Sequence, residues 1–98
     1  MSRESAGTVL VVDDELTYRT RIADALRATG LNVLETNGIS KALTIDEDER
    51  DLDFLVTDVA LPDGNGCSLA IALRKRRPDL RVLFVSFEVG LEACQYHG

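Results

Sequence analysis

Four short aliphatic runs recur along this chain, and a helix-length amphipathic stretch separates each from the next. No other feature narrows the fold as much. Val9-Leu10-Val11-Val12, entered from Thr8, is apolar without a break, as expected of a strand covered on both faces. It stops at Asp13-Asp14. Ile22, Ala25, Leu26 and Thr29 then recur at helical spacing, which predicts a helix over 16–29 with Gly30 as its stop. A less apolar strand over 31–36 leads to the turn Asn37-Gly38. The next helix, 40–49, carries a stripe of Ile39, Ala42 and Leu43, but Asp46 falls where another apolar residue belongs. Its acidic end, Asp46-Glu47-Asp48-Glu49, opposes the helix dipole and is expected to be a solvated, fraying face. Phe54-Leu55-Val56-Thr57 forms a third strand ending at Asp58, and the loop Val59 to Gly66 follows. A third helix runs to about Arg77, with Leu69, Ala72 and Leu73 inward, until Pro78 forbids its continuation. Arg74-Lys75-Arg76-Arg77 sit in its last turn, where the dipole favours cations. The fourth strand, 81–87, contains Val82-Leu83-Phe84-Val85 and then Ser86; another helix is expected from near Val89. Strands alternating with helices and short loops predict an α/β, doubly wound parallel sheet with right-handed crossovers.

Ninety-eight residues make one domain, 1–98. With no Trp and few aromatics, its core must be aliphatic. A net charge of −6 argues against nucleic acid as a direct partner. Cys67 and Cys94, with no second pair, make neither a metal knuckle nor a disulfide framework, so reduced thiols are expected. The first residues are no signal peptide, and no apolar run approaches the ~18 residues of a membrane span. The expected setting is the cytoplasm, away from membranes.

The polar residues that end the strands carry the chemistry. Asp13 and Asp14 end the first, Asp58 the third and Ser86 the fourth. In a parallel sheet these ends share one edge, where open α/β sheets bind ligands. A lone Asp after a strand is usually a turn or cap residue. Four polar residues that each close an apolar run are harder to dismiss. Clustered carboxylates resist joint ionisation unless a cation neutralises them. Magnesium suits such a site, because it takes oxygen ligands and keeps waters that leave room for a phosphoryl oxygen. Asp58, ahead of an open loop, is the best placed nucleophile. Ser86 can donate its hydroxyl to the attached group.

These residues resemble a known family. Val9-Leu10-Val11-Val12-Asp13-Asp14-Glu15 is similar to the opening of response-regulator receiver domains of two-component signalling. Asp58-Val59-Ala60-Leu61-Pro62-Asp63-Gly64-Asn65-Gly66 is similar to the loop after their phosphorylated aspartate. The resemblance spans essentially the whole chain and implies a flavodoxin-like receiver fold with strand order 2-1-3-4. It implies that Asp58 accepts a phosphoryl group from a phosphohistidine on a sensor histidine kinase or histidine phosphotransfer protein. Mg2+ would be bound by Asp14, Asp58 and the backbone carbonyl of Ala60, with Asp13 acting mainly through water. Ser86 would be the switch residue, Pro62 would shape the loop, and Gly66 would shape the start of the third helix. Such a module is a signalling phosphoacceptor rather than an enzyme, beyond catalysing its own phosphotransfer and dephosphorylation.

The chain departs from the pattern at its end. The fifth strand and fifth helix are missing, and with them the Lys that pairs with the phosphoryl group. The only lysines, Lys41 and Lys75, fall on predicted helices. Without a fifth strand, the 81–87 strand is an apolar edge, which invites a homodimer through this strand and the C-terminal segment. Two other readings compete. One is a degenerate receiver acting only as a protein-association module. The other is a Mg-dependent phosphohydrolase of the haloacid-dehalogenase type: Asp13-Asp14-Glu15-Leu16-Thr17 fits its nucleophile pattern only with Glu as the second acid.

Overall fold

The structure is a computed structural model that describes residues 7–85. The helix expected near Val89, Ser86 and Cys94 lie outside the described residues. The elements in order are β1 (Thr8–Val12), α1 (Leu16–Arg27), β2 (Asn32–Thr36), α2 (Ile39–Asp48) and β3 (Phe54–Asp58). Two short strands, β4 (Ala60–Leu61) and β5 (Gly64–Asn65), precede α3 (Gly66–Arg76) and β6 (Arg81–Val85). The four long strands form one parallel sheet in the order β2-β1-β3-β6, the expected order once β6 is counted as the fourth long strand. The expected open loop after Asp58 is instead a tight antiparallel hairpin, pairing Ala60 with Asn65 and Leu61 with Gly64.

Strand pleating sends alternate residues to opposite faces. Leu10, Val12 and Leu55 pack with Ala42, Leu69, Ala70 and Leu73, so α2 and α3 cover one face. Val9, Val11 and Val56 pack with Ala23, so α1 covers the other. All five residues of β1 are buried, which accounts for its unbroken apolar run. In α1, Ala23 is buried and Ala25 exposed; in α3, Ala70 is buried and Ala72 exposed. The apolar stripe of α3 runs Gly66, Leu69, Ala70, Leu73, the spacing of a single helix face, and this turns Ala72 outward.

Of the acidic end expected to be solvated, Glu47 and Asp48 are exposed, but Asp46 is not. It is only 2% exposed. Its carboxylate meets Arg77 Nε at 2.5 Å and Arg76 Nη1 at 3.1 Å. Arg77 Nη2 also donates to the carbonyls of Asp46 and Glu49, and Nη1 to that of Arg50. The guanidinium thus satisfies carbonyls left open where α2 ends. The basic end of α3 clamps α2 in addition to complementing its own dipole.

Candidate functional site

The register of the sheet builds the site. Val12 on β1 lies opposite Thr57 on β3, so the next residues along, Asp13 and Asp58, meet at the same sheet edge. Asp13, Asp14 and Asp58 each offer a carboxylate oxygen, and these oxygens lie within 4.8 Å of one another. Asp13 is buried, Asp58 half-buried and Asp14 exposed. Burial is the main reason the Asp13 carboxyl is pushed above its ordinary range. A hydrogen bond from the Glu15 N–H offsets part of this, and the charges of Asp58, Asp14 and Glu15 add to it. Among the described residues none of the three carboxylates takes part in an ion pair. An oxygen-only donor set with excess negative charge fits a hard divalent cation such as Mg2+.

The β1–α1 connection is pinned at several points. Asp13 N–H donates to the Thr36 carbonyl at 3.1 Å, which carries the ladder one residue beyond the strand. Asp13 Oδ1 accepts from Glu15 N–H at 3.0 Å. Glu15 caps α1 by accepting from Tyr18 N–H at 2.8 Å. Arg19 Nη1 donates to the Asp13 carbonyl at 3.0 Å.

The loop after Asp58 is equally constrained. Gly66 N–H donates to the Val59 carbonyl at 2.7 Å. A Cβ built on Gly66 would overlap the Asp58 carbonyl oxygen, so only glycine lets α3 start this close to the site. Pro62 and Asp63 form the exposed turn between β4 and β5. Asp63 accepts from the N–H groups of Ile39 at 2.9 Å and Ser40 at 3.0 Å, capping α2 from across the molecule. Sequence reasoning missed this. The available signal was Gly38, which precedes α2 and has no side chain to cap it.

Of the residues expected at the site, Asp13, Asp14 and Asp58 come together, while Ala60 and Gly66 flank Asp58 in the hairpin and the helix start. Ser86 lies outside the described residues. Among the described residues both lysines are on helices, Lys41 in α2 and Lys75 in α3.

A family model described as the response regulator receiver domain matches residues 9–95. The chain belongs to this family. It is a receiver domain of the two-component signalling type. Over 82 residues it is 39% identical to the DNA-binding transcriptional regulator NtrC of Azospirillum brasilense, a match spanning 84% of this chain and 17% of that protein. The chain spans between 9% and 42% of the length of the first three curated relatives. A receiver domain protein (CheY-like) from Methanospirillum hungatei superposes with a TM-score of 0.81 at 26% identity, covering 90% of this chain and 70% of that one. A response regulator from Burkholderia pseudomallei, solved with a phosphorylated aspartic acid and a calcium ion, gives 0.77 at 26% identity over 85% of this chain and 48% of that one. The fold is therefore flavodoxin-like. Among the described residues no helix is long and apolar enough to cross a membrane.

Proposed function

We propose that this receiver takes a phosphoryl group onto Asp58 from a phosphohistidine of a sensor kinase or phosphotransfer protein. The observation that carries the reading is the convergence of three carboxylates, unneutralised by any cation among the described residues, at one sheet edge. An Asp58 oxygen attacks phosphorus, the P–N bond to the donor imidazole breaks, and its electron pair stays on that nitrogen. Asp14, Asp58 and the Ala60 carbonyl would hold Mg2+, with Asp13 acting through water. When bound, the metal neutralises charge on the phosphoryl oxygens. Gly66, by adding no side chain, lets α3 start against the Asp58 backbone. Ser86 would donate to the attached group. The cytoplasm is the setting this donor chemistry fits, and the role is that of a phosphoacceptor rather than an enzyme acting on other molecules. The receiver unit would span 1–98.

Fluorine NMR with Mg2+ and beryllofluoride, a phosphoryl mimic, tests the reading. A bound signal is expected in the wild type and absent in Asp58→Ala. A signal that survives Asp58→Ala would remove Asp58 from the role. Its absence from both, alongside a specific protein partner, would favour a receiver that acts by association alone.

A second proposal concerns assembly. Among the described residues the outer edge of β6 pairs with no strand, and Leu83 on it is 61% exposed. An apolar strand edge of this kind recruits another chain. We propose a homodimer through this edge and the segment that follows it.

A further inference from the structure

We infer that Arg19, held by Glu35, is the positioning residue of the carboxylate cluster. The inference rests on the metal-binding reading of Asp13, Asp14 and Asp58.

Arg19 lies on the first turns of α1 and touches none of the three carboxylates. It acts through the backbone. Its Nη1 donates to the carbonyl of Asp13 at 3.0 Å. That carbonyl belongs to the planar peptide joining Asp13 to Asp14. With the flanking Cα atoms held by the chain on either side, fixing the direction of its C=O fixes the plane, which constrains ψ at Asp13 and φ at Asp14 and so the directions in which their side chains leave the chain. A single hydrogen bond thus helps to orient two of the three carboxylates. Neutral backbone donors could do the same, but a guanidinium makes a stronger bond to a carbonyl at a turn.

Glu35 makes the arrangement rigid. Its Oε1 meets Arg19 Nε at 3.2 Å, and its Oε2 meets Arg27 Nη2 at 3.0 Å. Arg19 and Glu35 side chains are 16% and 22% exposed. A planar fork held at Nε has little freedom left at Nη1. The pairing has an electrostatic consequence as well. With Glu35 opposing its charge, Arg19 is not drawn to the carboxylates as their counter-ion, and their negative charge remains available to a cation. Arg27 supplies an internal control: it shares Glu35 and the α1–β2 joint, donates to the Val33 carbonyl at 3.3 Å, and has no contact with Asp13.

The test is an amide NMR titration of the full chain with Mg2+, read alongside metal-free hydrogen exchange at the Asp13 and Glu15 amides. Arg19→Gln is expected to weaken Mg2+ by about tenfold, the value of one charge-assisted hydrogen bond, and to speed exchange at Glu15. Arg19→Lys, which can still donate to the carbonyl, is expected to recover part of both. Arg27→Gln is expected to match wild type in both, whatever it does to the melting temperature. Wild-type Mg2+ affinity in Arg19→Gln, or an equal loss in Arg27→Gln, would overturn the inference. A wild type that ignores Mg2+ would refute the metal reading instead. The exchange rates at Asp13 and Glu15 would then still decide whether Arg19 orders this turn.

Discussion

Thr36 closes β2 with a hydroxyl that is buried and finds no hydrogen-bond partner among the described residues. Burying such a group without a partner costs about 1–3 kcal/mol. Thr36→Val keeps the shape and removes the orphan. It is expected to stabilise the chain by about 1 kcal/mol, read as a rise in the urea unfolding midpoint; a fall would mean that water serves the hydroxyl. At this scale the sequence was informative where a polar residue ended an apolar run. Asp13, Asp14 and Asp58 could be picked out because each breaks a strand pattern. Arg19 could not, because an arginine on an amphipathic helix looks like an ordinary solvated residue until the fold brings its tip back to Asp13.

At the scale of elements, two long-range polar contacts hold α2 at its two ends. At its start, the two N–H groups that Asp63 accepts from, Ile39 first and then Ser40, hold its carboxyl below the ordinary value of 3.8. A carboxyl depressed on folding stabilises the fold above its unfolded pKa, and that contribution is lost as pH falls through the folded value. Asp63→Ala is therefore expected to melt earlier than wild type at neutral pH, with the gap closing as pH drops below 3.8. A gap independent of pH would assign the effect to the turn, not the charge. The contact also ties the hairpin after Asp58 to α2. The tie is tight: a Cβ on Gly64 would lie 2.6 Å from Ile39 Cδ1. At the far end, Arg77→Met leaves Asp46 with only the more exposed Arg76 and is expected to cost about 3 kcal/mol by denaturant unfolding. A change under about 1 kcal/mol would show that Arg76 compensates. The helices and strands themselves were legible from period and punctuation, with ends shifted by one or two residues. Asp46 was misread because a charged residue on an apolar stripe gives no sign of the arginines that will meet it from another helix.

At the scale of the whole sheet, its two faces are unequally covered among the described residues. Among these residues two helices pack on one side and α1 on the other. Beside α1 runs an apolar groove of about 290 Å³, lined by Leu26, Leu31, Phe54 and Leu83 among others. The parallel sheet followed from the alternation of elements and its strand order from the family resemblance, but uneven coverage is a property of the assembled sheet that no local pattern announces. The β6 edge, unpaired among the described residues, and this groove should govern association. Sedimentation is expected to find a dimer for the wild type and a monomer for Leu83→Lys, since a charge on an edge strand opposes pairing. A wild-type monomer with a cooperative, high-temperature melt would contradict the proposed dimer. The central claim is narrower than the assembly and can be measured directly. Intact-mass spectrometry after incubation with acetyl phosphate and Mg2+, followed by mapping of the modified peptide, should find one added phosphoryl group on Asp58, lost in Asp58→Asn and on chelation of the metal. An unmodified wild type, or a phosphoryl group that persists in Asp58→Asn, would contradict the account.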